Sequence, residues 1–159
     1  MSTVSLVTGA AGFVGQALVR RLLEEGDVVR GVALPADPRL AELRRLGVGR
    51  SLEIVEADVC DADALARAMT GVRRVFHTAA VVHAWVGRER YREVNVGGTR
   101  NVARAAHAAG VERLVSVSTS DVFGVPRGSE ILDERSPLRP WNEPYAASIF
   151  EWRPVCRSR

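Results

Sequence analysis

Leu6-Val7-Thr8-Gly9-Ala10-Ala11-Gly12-Phe13-Val14-Gly15 carries an apolar run into a glycine-rich turn and straight on into an amphipathic segment. That order reads as a strand, a phosphate-binding turn and a helix. Gly9 allows a tight turn without a Cβ clash. Gly12 lets the backbone approach a pyrophosphate, and Gly15 lets the new helix pack close to the strand. The helix N-terminus offers free N–H groups and the positive end of its dipole to the phosphates. The spacing is G-x-x-G-x-x-G rather than G-x-G-x-x-G, so the trio alone is a weak sign. Its place directly after a strand pattern strengthens it.

Beyond this turn, strand-like runs and helical stripes alternate. Strands are expected at residues 3–7, 28–34, 52–55, 74–78 and 111–117. The first helix, residues 13–25, carries apolar residues at 14, 17, 18 and 22, and Gly26-Asp27 ends it. Asp37-Pro38 reads as N-cap and first position of a second helix that Gly47 stops. Asp61 caps a third helix running to Met69. A fourth is expected unbroken from Arg88 to Ala109, with Thr99, Val102, Ala103 and Ala106 facing the sheet and Gly110 closing it. No hairpin turn joins the strands, so the units are β-α-β and the sheet is parallel. The expected fold class is α/β, a Rossmann doubly wound sheet of order 3-2-1-4-5. Residues 120–144, rich in glycine, proline and charge, read as a long loop.

The chain has 159 residues and a net charge of +3, and its 22 basic side chains are all arginine. Those arginines are dispersed among acidic residues, so no nucleic-acid partner is expected; Arg88 to Glu93 reads as a solvated helix start with local ion pairs. No apolar run suits a membrane span or a signal peptide. Two cysteines, Cys60 and Cys156, are too few for a disulfide framework, and a cytoplasmic setting is expected. No cluster has metal-ligand spacing, and His83 and His107 read as structural.

The residues together resemble the N-terminal part of an extended short-chain dehydrogenase/reductase of the NAD-dependent epimerase/dehydratase type. Thr8 to Gly15 matches that family's own glycine motif, which accounts for the spacing. Ala57-Asp58-Val59-Cys60-Asp61 resembles its adenine-binding segment. His77-Thr78-Ala79-Ala80 is similar to its His-x-Ala-Ala. Asn95-Val96-Gly97-Gly98-Thr99-Arg100-Asn101 resembles its Asn-x-x-Gly-Thr-x-Asn helix. Ser118 to Gly124 resembles the catalytic hydroxyl strand end, and Pro144 to Ser148 the start of Tyr-x-x-x-Lys.

The resemblance implies a dinucleotide cradle of Gly9, Ala11, Gly12, Phe13, Val14 and Gly15, with Asp58 and Val59 at the adenine. Thr78, Ala79 and Ala80 then contact the cofactor through their backbone, in preference to His77 as a catalyst. Asn95 either bridges backbone and a water chain or positions its helix. Thr119, with Ser118 and Ser120 as fallbacks, would bond the substrate's reacting oxygen, and Tyr145 would be the general acid/base. The cofactor is NAD or NADP. The end of the second strand falls on Ala33, with no carboxylate for a ribose 2′-OH. No arginine stands just after it to hold a 2′-phosphate; Arg39 either reaches one or sits in solvent, and the reading leans slightly towards NAD. The implied reaction is hydride transfer at a nucleotide sugar or another alcohol or carbonyl substrate. The alternatives are a non-catalytic dinucleotide-binding module and a 3β-hydroxysteroid-dehydrogenase-like reductase fragment.

Position 149 departs from the pattern: the motif lysine is replaced by Ile149. A cation there favours tyrosinate; without it Tyr145 should stay protonated near neutral pH. The expected organisation is an incomplete NAD(P)-binding domain over residues 1–148 and an atypical tail over 149–159, in which Pro154 interrupts the helix. The sixth strand and the C-terminal substrate region are expected to be missing, through a reading frame lost near residue 149. The fifth strand is then an open edge and the monomer poorly stable, with weak turnover or none. Substrate and oligomeric state are not legible.

Overall fold

A computed structural model describes residues 3–82 and 85–152. The readings placed on His83, Pro154 and Cys156 lie outside those residues. Five parallel strands form one sheet in the order β3-β2-β1-β4-β5. They are β1 (Val4–Thr8), β2 (Val28–Ala33), β3 (Leu52–Glu56), β4 (Arg74–His77) and β5 (Arg113–Ser116). Thr8, at the end of central β1, is in register with Val32 on one side and His77 on the other. The C-terminal strand ends therefore form one rim, centred on the glycine turn.

Both faces of the sheet are covered, which is why β1 is apolar without alternation. Leu6 points to one face with Val32 and Val75, packed under Leu65 and Met69 of helix α3 (Ala62–Ala68) and its exit, and under Val102 and Ala106. Val7 points to the other with Val29, under Val19 and Leu22 of α1 (Phe13–Glu24) and Leu43 of α2 (Leu40–Leu46). Asp61 caps α3 as expected, accepting from the Ala64 N–H at 2.9 Å. Arg30 reaches across the sheet to the Ala68 and Thr70 carbonyls at the other end of that helix, at 2.6 and 2.8 Å. A cation there satisfies orphan carbonyls and opposes the negative dipole end.

Several local expectations are corrected. The buried face of α1 is Gly15, Val19, Leu22 and Leu23, with Leu18 half-buried, while Val14 and Ala17 are exposed. Gly15 causes the rotation: it must lie against the turn, so the residues on its own stripe face the sheet. Asp37 does accept the Arg39 N–H at 2.9 Å, but this caps a preliminary turn and regular helix begins at Leu40. The expected single helix over residues 88–109 is interrupted. α4 (Arg88–Tyr91) passes into a π-helical segment, Arg92–Gly98, before α5 (Thr99–Ala108) resumes. On α5, Ala105 takes the core place expected of Ala103.

Residues 120–144 are mostly irregular, with a 3₁₀ turn at Ser120–Val122. α6 (Pro144–Trp152) follows and runs unbroken past residue 149. Glu143 starts it, its carboxylate accepting from the N–H groups of Tyr145 and Ala146 at 3.1 and 2.5 Å. Ile149 and Trp152 are buried with Val96 and Val122, so α6 is packed against the π segment and the 3₁₀ turn. No helix among the described residues is long and apolar enough to cross a membrane.

Candidate functional site

A cleft of about 530 Å³ lies along the rim of strand ends. Its floor is the glycine turn. Gly9 has φ +67°, and a Cβ there would sit 2.9 Å from Ala79 Cα. A Cβ on Gly15 would come within 2.1 Å of the Gly9 carbonyl oxygen, so the helix can begin this close to β1 only with glycine. Among the described residues no side chain caps α1 and its first turn holds no acidic residue. The N-terminal N–H groups and the positive dipole end thus meet the cleft uncompensated. Phe13, 94% exposed, and Val14 line the mouth.

Just after β3, Asp58 lines the cleft with Val59. One carboxylate oxygen accepts from the Cys60 N–H at 2.9 Å, and the other lies 3.7 Å from the Arg90 guanidinium. Asn101 holds this loop from α5 by donating to the Val59 and Cys60 carbonyls at 3.1 and 3.2 Å. Gly98 lets Val59 nest there, since a Cβ would fall 2.6 Å from its Cγ2. The Cys60 thiol is pushed up to about 11, chiefly by burial and then by Asp58, and so remains protonated.

After β4, Thr78, Ala79 and Ala80 line the opposite wall. His77 is buried beneath them as a clamp. Its Nδ1 lies 2.7 Å from Thr8 Oγ1 and its Nε2 2.8 Å from Thr99 Oγ1, which ties β1, β4 and α5 together. Burial pulls its pKa down to about 4, so the ring is neutral at physiological pH. Asn95, also buried, sits in the π segment. Its Oδ1 accepts from the Val81 N–H at 2.8 Å, and its Nδ2 donates to the Val81 carbonyl at 3.0 Å and to Ser148 Oγ at 2.9 Å. Ser148 Oγ–H in turn donates to the Tyr145 carbonyl at 2.7 Å. Asn95 therefore bridges the Val81 backbone and, through Ser148, the first turn of α6. Tyr145 lines the cleft; burial first, then the negative charges of Asp121 and Glu143, hold its phenol above the usual range.

The model of the NAD dependent epimerase/dehydratase family matches residues 5–156. The chain belongs to that family. It is 40% identical over 129 residues to a 3β-hydroxysteroid dehydrogenase/Δ5→4-isomerase of Mycobacterium tuberculosis, a match covering 74% of this chain and 32% of that protein. It is 42% identical over 117 residues to the 2-alkyl-3-oxoalkanoate reductase of Stenotrophomonas maltophilia, covering 74% and 33%. In structure it is similar to the dTDP-glucose 4,6-dehydratase DesIV of Streptomyces venezuelae, solved with NAD bound. The TM-score is 0.86 at 37% identity, over 96% of this chain and 50% of that one. The chain thus spans about a third of the length of these curated relatives and half that of the solved one.

Thr119 and its fallbacks Ser118 and Ser120 are the expected site residues absent from the cleft wall. Thr119 Oγ1 caps the 3₁₀ turn, accepting from the Asp121 N–H at 3.3 Å, and Ser116 and Val117 line the wall in their place. The family's lysine position holds Ile149, 2% exposed and lining the cleft beside Tyr145. Two arginines also line the cleft: Arg39, considered above for a 2′-phosphate, and Arg90, which the sequence reading placed only in a solvated helix start. Arg39 grips Asp37 with a fork of 2.9 and 2.8 Å. Arg90 pairs with Glu93 at 2.8 Å, as expected of a helix start, and also faces Asp58. The alternating charges at 88–93 carried the only hint of the latter. Among the described residues no cluster suits a metal ion.

Proposed function

We propose that this cleft binds a nicotinamide adenine dinucleotide, and that the domain is the cofactor-binding part of an oxidoreductase, epimerase or dehydratase acting at an alcohol or carbonyl carbon. The carrying observation is the uncapped α1 N-terminus facing a cleft whose floor only glycine permits. That cradle fits a pyrophosphate, with donors from the backbone of Phe13 to Gly15, the Gly12 N–H being spent on the Gly9 carbonyl at 2.8 Å. Asp58 and Val59 would hold the adenine, and the backbone of Thr78 to Ala80 would line the far half. NAD is favoured over NADP because Arg39 is already engaged by Asp37. When bound, the nicotinamide supplies the hydride donor or acceptor.

The chain's own groups then handle the proton. A neutral Tyr145 can donate to a reacting oxygen, but with its pKa held up it accepts a proton poorly. Thr119 lies off the cleft wall with its Oγ1 engaged by the Asp121 N–H, so the proton-handling hydroxyl that lines the cleft is that of Tyr145. Candidate substrates are nucleotide sugars and steroid-like or other secondary alcohols, the classes in the names of the similar proteins. A second reading, a dinucleotide-binding module without turnover, is favoured by Ile149, which puts an apolar side chain where Tyr145 needs a cation. Calorimetric titration with NAD⁺ and with NADP⁺ tests the proposal. Saturable one-to-one binding with NAD⁺ the tighter is expected; no heat with either would end it. NADH formation from a secondary-alcohol panel then separates the two readings, with turnover favouring the enzyme.

A further inference from the structure

The π segment, Arg92–Gly98, takes part in two sets of contacts. The first belongs to the cleft. Arg90 just before the segment, and Val94 and Asn95 within it, line the wall together with Asp58 and Val59. This set is tied to the loop after β3 at several points. Arg90 lies 3.7 Å from Asp58, the Cys60 thiol donates to the Glu93 carbonyl at 3.8 Å, and Val59 nests on Gly98. Asn101 adds its bonds to the Val59 and Cys60 carbonyls. The second set carries α6. Asn95 donates to Ser148 and Ser148 to the Tyr145 carbonyl, Arg92 pairs with Glu151 at 3.2 Å, and Val96 packs with Ile149 and Trp152. That apolar cluster is separate from the two that cover the faces of the sheet. The seat of α6 is thus the π segment and the neighbouring 3₁₀ turn.

We infer that the π segment is a linkage: an adenine nucleotide seated against Asp58 and Val59 tightens α6 on the segment and so steadies Tyr145. The inference rests on the nucleotide-binding reading above and adds a regulation to that site. Ligand at one end of the cleft sets the order of the proton-handling residue at the other. Two properties make the linkage work. π geometry is rare and depends on its tertiary surroundings, and part of its support here is the loop that the nucleotide presses on. α6 spans nine described residues, short for a helix to stand alone in water. Its docked and frayed forms therefore lie close in energy, and a modest bias shifts them. A ligand moves such an equilibrium only by binding the two forms unequally. Arg90, Val94 and Asn95 supply that difference, because they face the ligand and belong to the element that seats α6.

Hydrogen exchange of the 159-residue chain with and without saturating ADP, with binding followed by calorimetry, decides it. The amides of residues 94–98 and of 147–152 are expected to slow together, by at least about fivefold, when ADP is bound. Ser148→Ala cuts the bond between Asn95 and α6, and should remove the slowing over 147–152 while ADP still binds. Slowing over 147–152 that persists in this variant, or that occurs in the wild type without any change over 94–98, places ADP directly on α6 and overturns the linkage. The wild-type comparison decides the matter even if the variant folds poorly. ADP binding with unchanged exchange over 147–152 overturns the inference and leaves the nucleotide reading intact, as does heat with NAD⁺ and none with ADP. Absence of heat with both overturns both.

Discussion

At the scale of single residues, position 149 decides what the chain can do with a bound ligand. Ile149 is buried beside Tyr145, and the phenol is held up by burial, Asp121 and Glu143. Ile149→Lys places a cation near it. In a Tyr91→Phe background, ultraviolet titration should show the Tyr145 pKa falling by about one unit or more. An unchanged titration would mean that residue 149 does not couple to the phenol. His77 makes the second residue-scale prediction. Its folded pKa of about 4 lies below the ordinary 6.5, so between these values the unfolded chain binds more protons. Its contribution is complete above pH 6.5 and is lost as pH falls towards 4, a change of about 3 kcal/mol at most. Urea denaturation across that window should show the slope, and His77→Gln should flatten it; equal slopes in both proteins would assign the effect elsewhere.

At the scale of elements, the π segment joins the cleft wall to α6. Asn95 hydrogen-bonds in both directions, to Val81 and through Ser148 to the Tyr145 turn, beside the packing of Val96 on Ile149 and Trp152. Asn95→Ala strands the Val81 N–H and carbonyl and should cost about 2 kcal/mol or more in urea denaturation. Asn95→Asp keeps the acceptor and should lose less; equal losses would refute this bonding scheme. This element also marks where sequence reading stops. Glycine turn, Asp58 and Asn95 were legible because their motifs are local and ordered. The π segment was not, because Arg92 to Gly98 reads as ordinary helix and its widening accompanies a tertiary bond to Val81. The face of α1 was misjudged because hydrophobicity favours Val14 and Ala17, whereas the packing of Gly15 against the turn sets the rotation. Thr119 aligned with a catalytic hydroxyl, yet its Oγ1 serves the next turn.

At the scale of the whole molecule, alternation and handedness pointed to a doubly wound parallel sheet, and the dinucleotide-binding pattern then gave the order 3-2-1-4-5 that the structure shows. β5 is the edge of the described sheet, with Val115 44% and Val117 49% exposed. An open edge with exposed β-branched residues favours pairing with other chains. Sedimentation velocity should show concentration-dependent self-association that Val115→Lys reduces. A monomer at all concentrations, with the variant indistinguishable, would show that this edge is protected.

The central claim is that the glycine-floored cleft is a nucleotide site. Isothermal titration of the purified chain with NAD⁺ tests it most directly. Saturable one-to-one binding, lost on Gly12→Val at the mouth of α1, is the expected result. Heat no greater than dilution in the folded wild-type chain would contradict it.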